Sequence, residues 1–124
     1  MISYICIVIS LFIPIFCTAY AKFTSKGYNN RAPREFLETC EGAAKRAHHA
    51  QNNFYETFPA FAVGVIAAHQ LNAVTTTIDQ LAITFVIARI LYAIFYIIDN
   101  HVLRTISWMA AFASIIGLFL IGIH

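Results

Sequence analysis

The chain has 124 residues, of which 60% are hydrophobic and only 11% charged, and its mean hydropathy is +0.70. Soluble domains carry about a quarter charged residues, so this composition excludes a water-soluble globular protein; a chain this short allows one membrane domain, residues 1–124, with at most four or five spans of about 20 residues. The net charge of +2, with basic residues beside apolar runs rather than gathered in a patch, gives no footing for a nucleic-acid partner.

Apolar residues run almost unbroken to Lys22 and predict a first helix over about residues 2–22, ending as a span ends at an interface. Pro14 in its middle predicts a kink. Ala19-Tyr20-Ala21 imitates a signal-peptide cleavage site, but no basic region precedes the apolar run, so a retained helix is expected. Lys22, Lys26, Arg31, Arg34, Glu35 and Glu38, broken by Gly27 and Asn29-Asn30, then mark a polar loop outside the lipid. Within it Pro33 suits a first helical position and Glu35 a first turn, which predicts a brief helix near 33–39.

Glu41 and Lys45 stand at i, i+4 in the favourable order and open a second helix over about residues 41–71. Arg46, His49, Asn53 and Glu56 fall at i, i+3, i+7 and i+10, so all four share one helix face. That stripe runs into the uncharged stretch after Pro59 and so enters a membrane. Ionisable groups at such depth cost roughly 2.5–3.5 kcal/mol each on insertion scales, which makes the stripe a candidate functional site. A connection without basic residues leads to a third helix, about 78–98, with Arg89 near its middle. Asp99-Asn100-His101 marks the next turn, and a fourth helix, about 102–123, opens with Arg104 and carries Trp108 near the interface. The expected fold is all-α, an integral membrane four-helix bundle running up and down. Six of the eight Lys and Arg residues lie between Lys22 and Arg46, which predicts that this loop is cytoplasmic and both termini lie on the opposite side. Cys6, Cys17 and Cys40 are expected to be reduced, and no His or Cys pair stands at metal-ligand spacing.

Arg46-x6-Asn53-x2-Glu56-x2-Pro59, followed by Ala88-Arg89-x-Leu91-Tyr92-x3-Tyr96, resembles the paired motifs of the MAPEG family, the membrane-associated proteins of eicosanoid and glutathione metabolism. The likeness extends over essentially the whole chain in length, charged first loop and motif order. It implies a homotrimer with its site between subunits near the cytoplasmic side, and glutathione as co-substrate. Gln51, Asn53 and Glu56 match helix-two positions that hold the glutathione peptide, Arg89, Tyr92 and Tyr96 match helix-three positions lining the same cleft, and Arg46 and His49 complete the binding set. The chemistry is complementary, because glutathione carries two carboxylates and one ammonium, which arginine, carboxylate and neutral amides can pair.

Arg104 is the nearest cation that could favour thiolate over thiol, and the thiolate is what attacks an electrophile; extending the helix-three motif without a gap puts Leu103 in that register. The chain departs from the eicosanoid branch at His49, where that branch has arginine, and at Thr57, where it has tyrosine, and is more similar to a bacterial-type branch. The expected function is a membrane-bound glutathione transferase or peroxidase acting on lipophilic electrophiles, with the acceptor, a lipophilic small molecule, and membrane lipid as the other partners. The alternative is a non-catalytic member that binds a lipid or a partner protein between subunits, with an Arg89–Glu56 pair serving assembly.

Overall fold

The computed structural model describes residues 1–123. Two helices, α1 (Ile2–Ser10) and α2 (Phe12–Thr24), make the first rod; the others are α3 (Pro33–Thr39), α4 (Gly42–Gln70), α5 (Thr75–Ile97) and α6 (His101–Ile123). The chain is all-helical, and three rods, Ile2–Thr24, α5 and α6, are long and apolar enough to cross a membrane, with mean hydropathies of 2.3, 1.9 and 2.2. The expected count of four helices leaves out α3, which lies in the first loop, while α4 is too polar in its first half to join the three.

The break in the first rod follows from Pro14. Its ring displaces the carbonyl four residues back, that of Ser10, and the ladder tightens just there, with Leu11 N–H bonding Val8 O at 3.1 Å. Leu11 keeps helical angles, φ −61° and ψ −26°, so the rod bends without stopping. The kink expected at the proline is therefore expressed a turn earlier. Thr75 to Thr77, expected as connection, are helical, because the reversal before them takes only residues 71–74. Asn72 turns left-handed at φ 59°, with Ala73 N–H on Ala68 O and Asn72 N–H on His69 O, a Schellman ending that satisfies the last carbonyls of α4. Asp99, φ 64°, ends α5 the same way, and Asn100 then caps α6 through its Oδ1, which accepts from Leu103 N–H at 3.1 Å.

Contacts fix the directions of the rods. Phe61 of α4 stacks on Phe85 of α5 with ring centroids 3.9 Å apart, while Arg46 at the start of α4 meets Ile97 at the end of α5, so these two are antiparallel. The first rod runs parallel to α5 and is held at both ends. At one end Ser3 N–H donates to Asp79 Oδ1 at 2.8 Å, and Ser3 Oγ shares a 2.8 Å hydrogen bond with His69 Nε2. At the other, Ala21 is buried with Leu37, Cys40, Ala44 and Ala47, against which Ile97 rests. Lipid tails are as apolar as leucine, so close packing rather than transfer from water holds such rods together. Small residues make that approach possible: a Cβ on Gly64 would stand 3.3 Å from Leu118 Cβ and from the Phe119 ring.

Candidate functional site

The polar face of α4 meets the far ends of α5 and α6. Arg46 Nε donates to the carbonyl of Ile97 at 3.0 Å, so a cation satisfies one of the orphan carbonyls closing α5. One turn on, His49 meets the Tyr96 ring edge-on, centroids 6.3 Å apart. An imidazole in this place does not supply the permanent charge and planar fork of an arginine. Two turns beyond Arg46, Asn53 Nδ2 donates to Glu56 Oε2 at 3.3 Å, while its Oδ1 is buried without a partner.

Asn53 also lines a cavity of about 220 Å³, together with Tyr92, Arg104, Thr105 and Trp108. Three helices contribute to it, and Arg104, half-buried with its guanidinium 4.5 Å from the centre of the Tyr96 ring, is the cation on its wall. Leu103 is exposed and does not line it. Capping of α6 by Asn100 accounts for this register, since the helix restarts after the turn rather than continuing the phase of α5. Tyr92 and Trp108 give the cavity an aromatic wall, and Tyr96 packs edge-on against Tyr92 at 5.6 Å.

Arg89 sits behind that wall. Only 1% exposed, its guanidinium lies 4.2 Å from the Tyr92 ring centre and 5.6 Å from that of Phe54, and Nε and Nη1 have no hydrogen-bond partner. Aromatic faces supply part of the lost solvation through cation–π attraction. Glu56 is exposed and forms its hydrogen bond with Asn53, so the anticipated Arg89–Glu56 pair is absent from the single chain.

Gln51 goes elsewhere. With Thr18, Ala19, Lys22, Tyr28 and Tyr55 it lines a second cavity, of about 520 Å³, on the other side of α4. Thr57 is buried and donates to Phe54 O at 3.2 Å, contributing nothing to either cavity. The structure thus brings Asn53, Tyr92 and Arg104 to one cavity, packs Tyr96 between Arg104 and His49 beside it, ties Arg46 to the end of α5, and puts Arg89 behind the cavity and Gln51 outside it. Thr105 and Trp108 were not anticipated as lining; the i, i+4 spacing of Arg104 and Trp108 was the signal for the second. Among the described residues no group of three or more His, Cys, Asp or Glu side chains is placed to hold a metal ion, and all three cysteines are free.

Residues 2–124 match the model of the MAPEG family. No curated protein and no solved structure matches the chain.

Proposed function

Because this chain belongs to the MAPEG family, we propose that it is a membrane-bound glutathione transferase or peroxidase acting on lipophilic electrophiles. The observation that carries the reading is the cavity to which Asn53, Tyr92 and Arg104 contribute from three different helices. Asn53 and Glu56 suit the amides and ammonium of glutathione, and Arg46 and Arg104 suit its carboxylates and sulfur. A guanidinium beside the sulfur favours the thiolate, whose proton leaves to water at the polar end of the cleft. The thiolate electron pair then forms the carbon–sulfur bond as the leaving group departs with the electrons of the bond it breaks.

Assembly supports the same reading. Lys45, His48, Asn52 and Tyr55 form a second polar face on α4, at i, i+3, i+7 and i+10, and none of them is buried. A polar face entering a bilayer is stabilised against protein rather than lipid, so copies of the chain meet there. In the homotrimer we infer, the side carrying Gln51, Thr18 and Lys22 completes the cleft of the next copy, which accounts for one motif facing two ways. The four long rods then form an up-and-down bundle and a single membrane domain, α4 crossing behind the shelter of the other three, with the basic loop cytoplasmic.

Calorimetric titration of glutathione into the protein in detergent micelles, with thiolate absorbance of the bound peptide followed against pH, tests the reading. Binding with a thiol pKa below the free value of about 8.5 is expected. Absence of binding would move the chain to the non-catalytic, lipid- or partner-binding reading.

A further inference from the structure

A groove of about 550 Å³ separates the middle of the first rod from α5, between Ile13, Phe16, Cys17 and Tyr20 on one side and Ala93 and Ile97 on the other. It opens because the first rod lies against α5 through α1 and, beyond the bend at Leu11, turns onto α4 through α2, so that the two rods diverge. Its size falls within the range of small-molecule sites, about 300–1,000 Å³. Every lining residue lies within the two candidate spans, Ile2–Thr24 and Thr75–Ile97, and the only side-chain heteroatoms are the Cys17 sulfur and the Tyr20 hydroxyl. What fills it is therefore hydrocarbon.

Two observations choose between a lipid chain and a helix of a second copy. The groove side of the first rod is turned about 170° from the side bearing Thr18 and Lys22, at about 100° per residue, so a copy seated on the polar side leaves the groove facing the bilayer. Its rim agrees, Phe12 and Phe16 being 52% and 71% exposed. The second observation is charge. Ile97 closes the groove at the end of the bundle where Arg46 holds its carbonyl, and that end also carries the loop from Lys22 to Arg46, with six of the eight Lys and Arg residues. An anionic headgroup is attracted to that end and its acyl chain reaches along the groove.

We propose that the groove holds one acyl chain of an anionic phospholipid, headgroup at the basic end. The site is distinct from the cleft and does not depend on glutathione; its floor, Cys17, packs with Tyr92 and Ala50 and so is one side-chain layer from the cleft wall. The test uses the full chain reconstituted in vesicles of equal parts dioleoyl phosphatidylglycerol and dioleoyl phosphatidylcholine, re-extracted in mild detergent and weighed by native mass spectrometry. Retention of phosphatidylglycerol over phosphatidylcholine is expected, by about fivefold for each basic residue engaged. Ala93→Trp fills the groove from its floor and Ile94→Trp from its 47%-exposed rim, where a large ring does not disturb the core, and both should lose the lipid. Ile94→Trp should keep its glutathione binding and its number of chains, which separates failure here from failure of the transferase reading. Equal retention of the two lipids, unchanged retention in the folded Ile94→Trp variant, or a changed number of chains in that variant overturns the proposal, the last by showing that a second copy occupies the groove.

Discussion

Arg104 and Arg89 both lie against tyrosine rings, yet their surroundings assign them different work. Arg104 borders open space and can meet a ligand. Arg104→Ala should leave glutathione affinity nearly intact while the bound thiol's pKa returns toward about 8.5. A lost charge-assisted contact of about 1.5–3 kcal/mol corresponds to a loss of roughly 10- to 150-fold in turnover at neutral pH, shrinking as pH rises and the thiol ionises unaided. Conjugation of a model lipophilic electrophile by parent, Arg104→Ala and Arg104→Lys across neutral to alkaline pH measures this; an unchanged pH profile would show that Arg104 only positions the peptide. Arg89 is enclosed, with two nitrogens unpartnered in the single chain. Replacing an enclosed charge by an apolar chain of similar volume is often stabilising by about 1–4 kcal/mol, so Arg89→Met should raise the thermal midpoint in detergent while weakening glutathione binding. A lowered midpoint would mean that the aromatic faces more than offset the lost solvation. That Arg89 is enclosed was legible from an isolated charge inside an apolar run. That Glu56 bonds Asn53 instead was not, because partner choice between helices depends on side-chain directions that spacing along one helix does not contain.

At the level of helices, the long apolar runs and the turn residues between them located the long rods to within a few residues, and that reading missed Thr75 to Thr77 because three β-branched hydroxyl residues read as a connection. The site of the bend was displaced too, since a proline acts on the carbonyl one turn before it. Pro14→Ala restores the bond to Ser10 O and should straighten the first rod. A stability gain below about 3 kcal/mol is expected, together with loss of the retained phospholipid as the groove closes. Gly64→Val should act oppositely: with Leu118 and Phe119 already 3.3 Å from a bare Cβ, the added methyls force α4 and α6 apart at a cost of about 1–3 kcal/mol. Thermal unfolding followed by circular dichroism in detergent checks both signs.

For the molecule as a whole, charge is sorted to one end. Six basic residues, the cleft and the short α3 share it, while the Ser3, His69 and Asp79 contacts close the other. Lys26→Cys should react only with reagents on the cytoplasmic side, and a reporter after residue 124 should be exposed on the opposite side; reversed labelling would overturn the orientation. Asn52→Cys, on the exposed polar face of α4, should cross-link one copy to another, and a product confined to single chains would remove the basis for the trimer. The uneven character of α4 also bears on how the chain is made. Its apolar half, about 14 residues from Thr57 to Gln70, is about 21 Å long, short of the roughly 30 Å hydrocarbon core. A nascent chain released after Gln70 therefore has too little apolar length to leave the translocation channel sideways and should keep α4 in water. On the four-span arrangement proposed above, once Thr75 to Ile97 has emerged from the ribosome the left-handed turn at Asn72 should let the two helices enter the bilayer together as a hairpin, the least apolar rod carried in by its successor.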